Sequence, residues 1–239
     1  MKFNKDSNSY TFIFSIIIVL IVGVILTSVT LALADKKAYN VKVKKMINIL
    51  SAMGIDSDRQ NGEELYSKHI GDIYMIDSHG NRLDEYNEDF AFNFDVLKQN
   101  RDKTVAEADR IFPIFEGENE SGEKVYILSM AGNGLWGPVW GFVALADDFE
   151  TIKGASFDHS GETPGLGAEI ATPMFEDQYI DEKITKDGSF HNIEVVKDGT
   201  GKDAYKVDGI TGGTVTSKGV EKMVNGTLEI YYNYFTNIK

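Results

Sequence analysis

The hydrophobic pattern of the chain has two parts, a continuous apolar stretch near the start and a mixed apolar and polar pattern after it. Residues 7–34 include no charged side chain, and residues 12–33 are almost wholly apolar. A helix of that length extends for roughly 33 Å, enough to cross a bilayer core of about 30 Å. A cleavable signal peptide is the alternative, since Ala32, Leu33 and Ala34 resemble a cleavage site, but the apolar run is longer than the usual signal core. The pattern therefore predicts a retained transmembrane helix.

Helical spacing of apolar residues continues beyond this stretch. It predicts a helix over residues 36–53, which Gly54 would end. The polar segment 55–68 is expected to form a loop and a short helix. Weaker helical patterns cover residues 96–108 and 218–225.

The clearest strand pattern lies in residues 124–157. β-rich runs at residues 125–130, 139–145 and 151–157, with a turn at residues 132–134, predict an antiparallel meander. Further strand predictions are residues 70–76 (followed by a turn at 77–81), residues 201–207 and residues 227–235. The part after the apolar helix is therefore predicted to be α+β, with an antiparallel twisted sheet and flanking helices.

The charge distribution limits the partners of the chain. The net charge is −13, although the first 45 residues are net basic, so the acidity belongs to the later part. An acidic domain of this kind argues against nucleic acid as a partner. Lysines are more frequent after the apolar helix than before it, and the positive-inside rule would then put the C-terminal domain in the cytoplasm. Long domains can be translocated regardless of charge, so this count does not settle the orientation.

Residue types exclude several kinds of site. The chain contains no cysteine, which excludes disulfides, cysteine-ligated zinc and cysteine-ligated iron–sulfur clusters within it. Its four histidines are scattered without metal-ligand spacing, and we expect neither a metal site nor a catalytic residue. His159 is expected to be a partly exposed loop residue, with contact to a ligand as the alternative. The sequence carries no dinucleotide-binding fingerprint, so we do not expect this chain to bind NADH itself.

A glycine- and hydroxyl-rich segment, residues 208–217, carries the most informative chemistry. Asp208 precedes two adjacent glycines, Gly212 and Gly213, which permit a close backbone approach or a positive φ. The hydroxyls of Thr211, Thr214, Thr216 and Ser217 follow one another within seven residues. This chemistry suits a phosphate-bearing ligand, and a glycine-rich loop between two strands is the alternative.

Two other segments have the chemistry to bind a planar ring. The turn around Pro164 and Gly165 is flanked by glycines, and Glu162 and Thr163 could hydrogen-bond the polar edge of such a ring. Trp136, after Leu135, offers a flat apolar face for stacking, whereas Trp140 is expected to be a core residue. Each segment taken alone could also be an ordinary turn or hairpin.

Together these motifs resemble the FMN-binding domain family, in which FMN is joined through its phosphate to a threonine. The family's attachment motif matches residues 208–214 and makes Thr214 the acceptor, with Gly213 where an alanine is usual. The Glu-Thr-Pro-Gly-Leu-Gly sequence at 162–167 matches the same family. The Gly-Leu-Trp sequence at 134–136 resembles the C subunit of the Na⁺-translocating NADH:quinone reductase. The related G subunit of the Rnf complex and a membrane-anchored domain without redox activity are the alternatives.

The resemblance implies an electron-relay subunit of a membrane oxidoreductase that is not catalytic alone. It implies covalent FMN, partnership with other subunits of the complex, and a flavin transferase that attaches the cofactor. It also implies a single-pass protein of the bacterial inner membrane with its domain on the periplasmic side, against the lysine count. The predicted divisions are residues 1–34, 35–123 and 124–239, the last being the FMN-binding domain. The residues implied to surround the cofactor are Thr214, Thr211, Gly212, Gly213, Val215, Thr216, Trp136, Leu135, Glu162, Thr163, Gly165, Leu166, Gly167 and Asp208.

Overall fold

The computed structural model describes residues 7–238, and its contacts divide the chain into two units, Met1–Lys44 and Lys45–Lys239. The first unit contains helix α1, Asn8–Ala32, and the start of helix α2, Ala34–Ala52. Ser7 caps α1 by accepting a hydrogen bond from the amide of Tyr10 at 3.2 Å. The predicted helices over 12–33 and 36–53 are confirmed, with a break at Leu33. Lys2 and Lys5, which contribute to the lysine count, lie outside the described residues.

Helix α1 has the length and composition of a membrane-spanning segment. It has 25 residues, a mean hydropathy of 3.0 in its most apolar window and no buried residue. In the described part of the chain it alone meets this test of length and composition, which a signal sequence would also meet.

The second unit is built on a six-stranded antiparallel sheet in the order β2-β1-β3-β4-β5-β6. Its strands are β1 (Ile70–Asp77), β2 (Arg82–Leu83), β3 (Ile111–Glu118), β4 (Lys124–Asn133), β5 (Pro138–Ala146) and β6 (Ile152–His159). The strand over 70–76, its turn and the meander of β4, β5 and β6 are confirmed. The predicted division after residue 123 falls between β3 and β4, which are neighbours in this sheet.

Both faces of the sheet are buried, which explains why its strands read as nearly continuous apolar runs. Along β4, Tyr126 and Leu128 belong to one core, whereas Val125 and Ile127 belong to the other. The second core is covered by the C-terminal half of α2 and by α3 (Gly62–His69) and α4 (Glu88–Asn93), and α5 (Val96–Arg101) follows α4. The first core is covered chiefly by the long final helix α7, Thr214–Ile238. The domain is therefore a sheet between two layers of helices, as the α+β prediction required.

Short elements connect β6 to α7. The 3₁₀ helices Gly167–Ala171 and Asp177–Tyr179 lie on either side of α6 (Pro173–Glu176), and another, Glu107–Asp109, precedes β3. The strands β7 (Thr185–Lys186) and β8 (Ser189–Phe190) form an antiparallel pair. The strands β9 (Glu194–Val196) and β10 (Lys206–Asp208) form a parallel pair, and α7 begins six residues after β10.

Three predictions of local structure are corrected. Residues 227–235 are helical, because their buried positions continue the spacing that begins at Val220 and Met223 in α7. Of the strand predicted over 201–207, only the last two residues belong to a strand, β10. Of the helix predicted over 96–108, only α5 and part of a 3₁₀ turn form. Strand β3 was not predicted, and Pro113 within it is unusual for an inner strand. Pro113 pairs with Met75 of β1, and the pairing of β3 with β4 starts only at Ile114.

Candidate functional site

Thr214 is the first residue of α7, a helix of 25 residues. The amides in the first turn of a helix have no partner within it, and they carry a partial positive charge that attracts anions. Gly213, the residue before the helix, has no side chain with which to cap them. The strand–loop–strand alternative for residues 208–217 is therefore wrong, because the threonine-rich segment leads into the N-terminus of a helix.

The turn into α7 is held by a buried hydroxyl and by close packing. Ser217 Oγ donates to the carbonyl of Gly213 at 3.0 Å and accepts from the amide of Ile210 at 3.1 Å. Gly212 has a φ of +76°, and a Cβ there would lie 2.5 Å from Cδ2 of Leu166. The positive φ favours glycine at 212, whereas the end of the partly exposed Leu166 side chain could move to admit a Cβ. Leu166 and the start of α7 are in direct contact.

Glu162 connects the three segments that the sequence singled out. Its Oε1 accepts from the amide of Trp136 at 2.8 Å, and its Oε2 accepts from Thr216 Oγ1 at 2.7 Å. Its own amide donates to His159 Nδ1 at 3.2 Å. Only 4% of Glu162 is exposed. The carboxylate therefore joins the connection between β4 and β5, the loop after β6 and the first turn of α7.

Two glycines leave room for this carboxylate. A Cβ on Gly134 would lie 2.5 Å from Glu162 Oε1, and a Cβ on Gly167 would lie 2.6 Å from both Glu162 Oε2 and Thr216 Oγ1. Gly134 also closes the tip of the β4–β5 connection by donating from its amide to the carbonyl of Gly137 at 2.8 Å. The close approach of the three segments depends on these positions having no side chain.

Four apolar side chains remain exposed on these joined segments. Leu135 and Trp136 lie at the tip of the β4–β5 connection, Leu166 contacts Gly212, and Val215 follows Thr214. Trp136 is 69% exposed, and the other three are between 42% and 56% exposed. An exposed indole beside other apolar side chains is a surface on which a planar ring can stack. We call Leu135, Trp136, Leu166 and Val215 the apolar platform.

Several predicted site residues have other local roles. Asp208 Oδ1 accepts from the amide of Gly201 at 3.0 Å, and its amide donates to Gln178 Oε1 at 2.6 Å. Thr216 is directed to Glu162 and is buried, so its hydroxyl is engaged there. The carbonyl of Thr163 accepts from the amides of Leu166 and Ala168, both at 3.1 Å. Thr211 is exposed, and Gly165 has the positive φ, +75°, that its turn requires.

Glu176, at the end of α6 and hydrogen-bonded to β6, is a half-buried carboxyl with an altered pKa. Burial raises the pKa of Glu176 to about 7, its hydrogen bond from the amide of Phe157 lowers it, and the charges of Asp177 and Asp158 add to the rise. Among the residues that the structure describes, no cluster of histidine and carboxylate side chains could hold a metal ion. Two clefts of about 490 and 480 Å³ lie elsewhere, one beside Asp72 and Arg82 and the other beside His191 and Tyr205. Neither cleft is lined by Thr214, Glu162 or Trp136.

Sequence reasoning missed three residues that shape the site. Ser217 was noted only as a hydroxyl, although a serine four residues after Gly213 is well placed to bond its carbonyl once a helix is assigned. Gly219 packs against the end of β4, and Gln178 holds Asp208. Neither of these has a local sequence signal, because each acts on a segment distant along the chain.

Comparisons with known proteins show which family this chain is similar to. Residues 134–229 match the FMN-binding domain family, and they include the apolar platform, Glu162 and Thr214. The C subunit of the Na⁺-translocating NADH-quinone reductase, NqrC, from Haemophilus ducreyi is 31% identical over 234 residues, covering 92% of this chain and 89% of the relative. The same subunit from Vibrio anguillarum is 31% identical over 235 residues, with 92% and 90% covered.

Solved structures give the same result. The crystal structure of this subunit from Parabacteroides distasonis is 35% identical, has a TM-score of 0.74, and covers 85% of this chain and 97% of that chain. The structure of NqrC from Shewanella oneidensis supports the fold. It is 22% identical, has a TM-score of 0.65, and covers 83% of this chain and 98% of that chain. The resemblance found in the sequence is confirmed, and this chain belongs to the NqrC family, the C subunits of the Na⁺-translocating NADH-quinone reductase.

Proposed function

We propose that this chain is an electron-relay subunit of a Na⁺-translocating NADH-quinone reductase and carries FMN joined through its phosphate to Thr214. Family membership and the FMN-binding domain support the electron-transfer role and the identity of the cofactor. The covalent bond is our inference from one observation. Thr214 is partly exposed at the first position of a long helix that no side chain of the preceding residue caps.

The residues around Thr214 fit the two ends of FMN. The amides of the first turn of α7 would bind the phosphate, as helix N-termini bind other anions. The apolar platform would contact the ring, with the indole of Trp136 stacking on it. Bound FMN would supply the electron-transfer chemistry, and the chain would fix its position and its access to water. A cofactor bonded to Thr214 Oγ1 could not dissociate between turnovers.

The family resemblance implies that a partner attaches the flavin. We propose that a separate flavin transferase forms the bond before the complex is complete. Asp208 would contribute by shaping the segment that enters the transferase, because its carboxylate holds Gly201 and its main chain is held by Gln178. Thr211 and Gly212, which are exposed, would lie in the same segment.

We propose that α1 anchors the chain in the bacterial inner membrane as a single span and that the domain lies on the periplasmic side. The length and hydropathy of α1 support the span, and the side is taken from the family resemblance. A periplasm-specific reporter fused after Lys239 should be active, whereas activity only of a cytoplasmic reporter would contradict the orientation. A mature protein beginning at Asp35 would contradict the anchor.

The attachment site can be tested by replacing single hydroxyls. Thr214→Val removes the oxygen with little change of shape, so it should abolish flavin fluorescence that survives denaturing electrophoresis. Thr211→Val is the matched control, since Thr211 is exposed and we expect it to retain most of the attachment. Thr216→Val should reduce attachment without abolishing it, because it releases one side of Glu162.

Mass spectrometry of the peptide spanning residues 207–218 would locate the bond. Wild-type protein made with a flavin transferase should carry the added mass of a phosphoester-linked FMN on Thr214. An added mass on Thr211 or Thr216 would show that the assignment to Thr214 is wrong. Absence of any covalent flavin would refute covalent attachment itself.

A further inference from the structure

We propose that Glu162 is the positioning residue of this site, a buried carboxylate that fixes the Trp136 segment to the first turn of α7. The proposal changes the role first expected for Glu162, which was contact with the polar edge of a ring. The test that measures flavin loading rests on the proposed function, whereas the test that measures the motion of Trp136 does not.

The hydrogen bonds of Glu162 carry the inference. One carboxylate oxygen accepts from a main-chain amide 26 residues earlier, and the other accepts from a side-chain hydroxyl 54 residues later. Both distances, 2.8 Å and 2.7 Å, are those of well-formed hydrogen bonds. The bonds join the segment bearing the indole to the helix bearing Thr214.

Burial shows that Glu162 acts through these neighbours and not on a ligand directly. With 4% of the residue exposed and both oxygens engaged, little of the carboxylate faces the open surface. In the described part of the chain no lysine or arginine forms an ion pair with it. A buried carboxylate is costly unless hydrogen bonds compensate for its lost hydration. Removal of either donor should therefore disturb the position of the other.

Glutamine at position 162 keeps the shape and the hydrogen-bonding capacity of the side chain but cannot carry its negative charge. The amide oxygen of a glutamine at 162 could still accept from the Trp136 amide, and its NH₂ group could donate to Thr216 Oγ1 with the hydroxyl reversed. Glu162→Gln should therefore keep both connections, whereas Glu162→Ala removes both. Glu182→Ala is the matched control, because Glu182 Oε2 also accepts a main-chain hydrogen bond, from Tyr205 at 2.6 Å, outside the site.

The first experiment needs no flavin. The full chain is made in detergent without a flavin transferase and with Trp140→Phe, which leaves Trp136 as the single tryptophan. Time-resolved fluorescence anisotropy then reports the local motion of Trp136. We expect restricted motion in the otherwise unsubstituted chain, in Glu162→Gln and in Glu182→Ala, and a large fast component in Glu162→Ala. Circular dichroism identifies any variant that has not folded.

A second variant keeps the test decisive if Glu162→Ala does not fold. Thr216→Val removes only the bond to α7 and nearly keeps the shape of the side chain, so it should give an intermediate mobility of Trp136. Unchanged mobility in every folded variant that lacks a bond would overturn the proposal. Mobility of the Glu162→Gln variant equal to that of Glu162→Ala would overturn it too, because glutamine can make both connections.

The second experiment measures covalent flavin loading by a transferase. Glu162→Ala should load about tenfold more slowly or worse, the effect expected when a hydrogen bond to a charged group is lost, and Glu162→Gln should recover most of the rate. Equal loading rates in wild type and Glu162→Ala would contradict a role in attachment. If wild-type protein takes up no flavin, the proposed function fails, while the anisotropy still decides whether Glu162 positions Trp136.

Discussion

Single glycines determine how closely the segments around Glu162 approach one another. Gly134 and Gly167 each lie where a Cβ would be within 2.6 Å of the buried Glu162 carboxylate. Such distances are shorter than any stable contact, so a side chain there would push apart the segments that carry the apolar platform and Thr214.

Gly167→Ala tests this at one position. Its Cβ would displace Glu162 Oε2 and Thr216 Oγ1, so we expect a loss of about 1–3 kcal/mol of unfolding free energy and less covalent flavin. Gly161→Ala is the control in the same loop, because a Cβ there meets no heavy atom within 4 Å. Thermal unfolding in detergent and in-gel flavin fluorescence measure the two effects. Equal losses in both variants would contradict the steric explanation.

The identity of the site residues was predictable to different degrees. The attachment motif and the Glu162 loop were found because their residues are close together in sequence and match a known pattern. The pairing of Glu162 with Thr216 was not predictable from that pattern, since the partner is 54 residues away and either residue could equally face solvent. Long-range hydrogen bonds depend on the packing of several elements at once.

Helix α7 is the element that brings the site and the core together. Its first turn bears Thr214, and its later turns cover one face of the sheet. The buried hydroxyl of Tyr231 lies 2.9 Å from the carbonyl oxygen of Pro113 and 3.1 Å from that of Ser129, where the pairing of β3 with β4 has ended. Anchoring of this kind holds the helix, and therefore Thr214, at a fixed position on the sheet.

Two glycines within α7 should respond oppositely to alanine. A Cβ on Gly219 would lie 2.2 Å from the carbonyl oxygen of Asn133, so Gly219→Ala should separate the helix from the end of β4 and destabilise the domain by about 1–3 kcal/mol. Gly226 is exposed, with no heavy atom within 4 Å of such a Cβ. Gly226→Ala should stabilise the helix by about 1 kcal/mol. Melting temperatures that shift in the same direction would refute this account of α7.

The elements themselves are predictable to unequal degrees. The apolar helix and the β4–β6 meander have long, regular patterns, and both are confirmed. The second half of α7 is predicted as a strand, because Tyr231, Tyr232 and Tyr234 favour strands when taken alone. Tertiary packing decides in favour of the helix, since the spacing of buried residues from Val220 onward is helical. Pro113 is unusual within an inner strand, and β3 is identified by its pairing with β1 and β4.

At the scale of the whole domain, one half-buried lysine lies against the core that the helices α2, α3 and α4 cover. Lys45 Nζ donates to the carbonyls of Phe92 and Phe94 and lies 5.1 Å from the ring centroid of Phe92 and 5.7 Å from that of Phe115. Burial lowers the pKa of Lys45 from 10.5 to about 8, although the charge of Asp95 raises it. The folded domain therefore releases this proton more readily than the unfolded chain does.

This difference predicts how stability changes with pH. Between pH 8 and 10.5 the unfolded chain binds more protons at Lys45 than the folded chain, so the contribution of Lys45 to stability rises with pH over this window. Relative to that of Lys45→Met, the unfolding free energy of the wild type should rise by up to about 3 kcal/mol between pH 8 and 10.5. Buried tyrosines such as Tyr179, whose pKa burial raises, act in the opposite direction and are common to both proteins.

Denaturation of the full chain in detergent at several values of pH measures the effect. Lys68→Met, at an exposed position on α3, is the control and should follow the wild type at each pH. A stability difference between wild type and Lys45→Met that stays constant across the window from pH 8 to 10.5 would contradict the lowered pKa of Lys45.

The exposure of the apolar platform has a consequence for the order of biogenesis. Leu135, Trp136, Leu166 and Val215 are exposed in the chain by itself, and Thr214, next to Val215, is partly exposed. A transferase needs that surface free, whereas a neighbouring subunit that received electrons there would cover it. Under the proposed function, modification must therefore precede assembly. Chains without FMN would keep this apolar surface exposed, where cellular quality control could recognise it. Attached FMN would then distinguish the chains that are ready to join the complex.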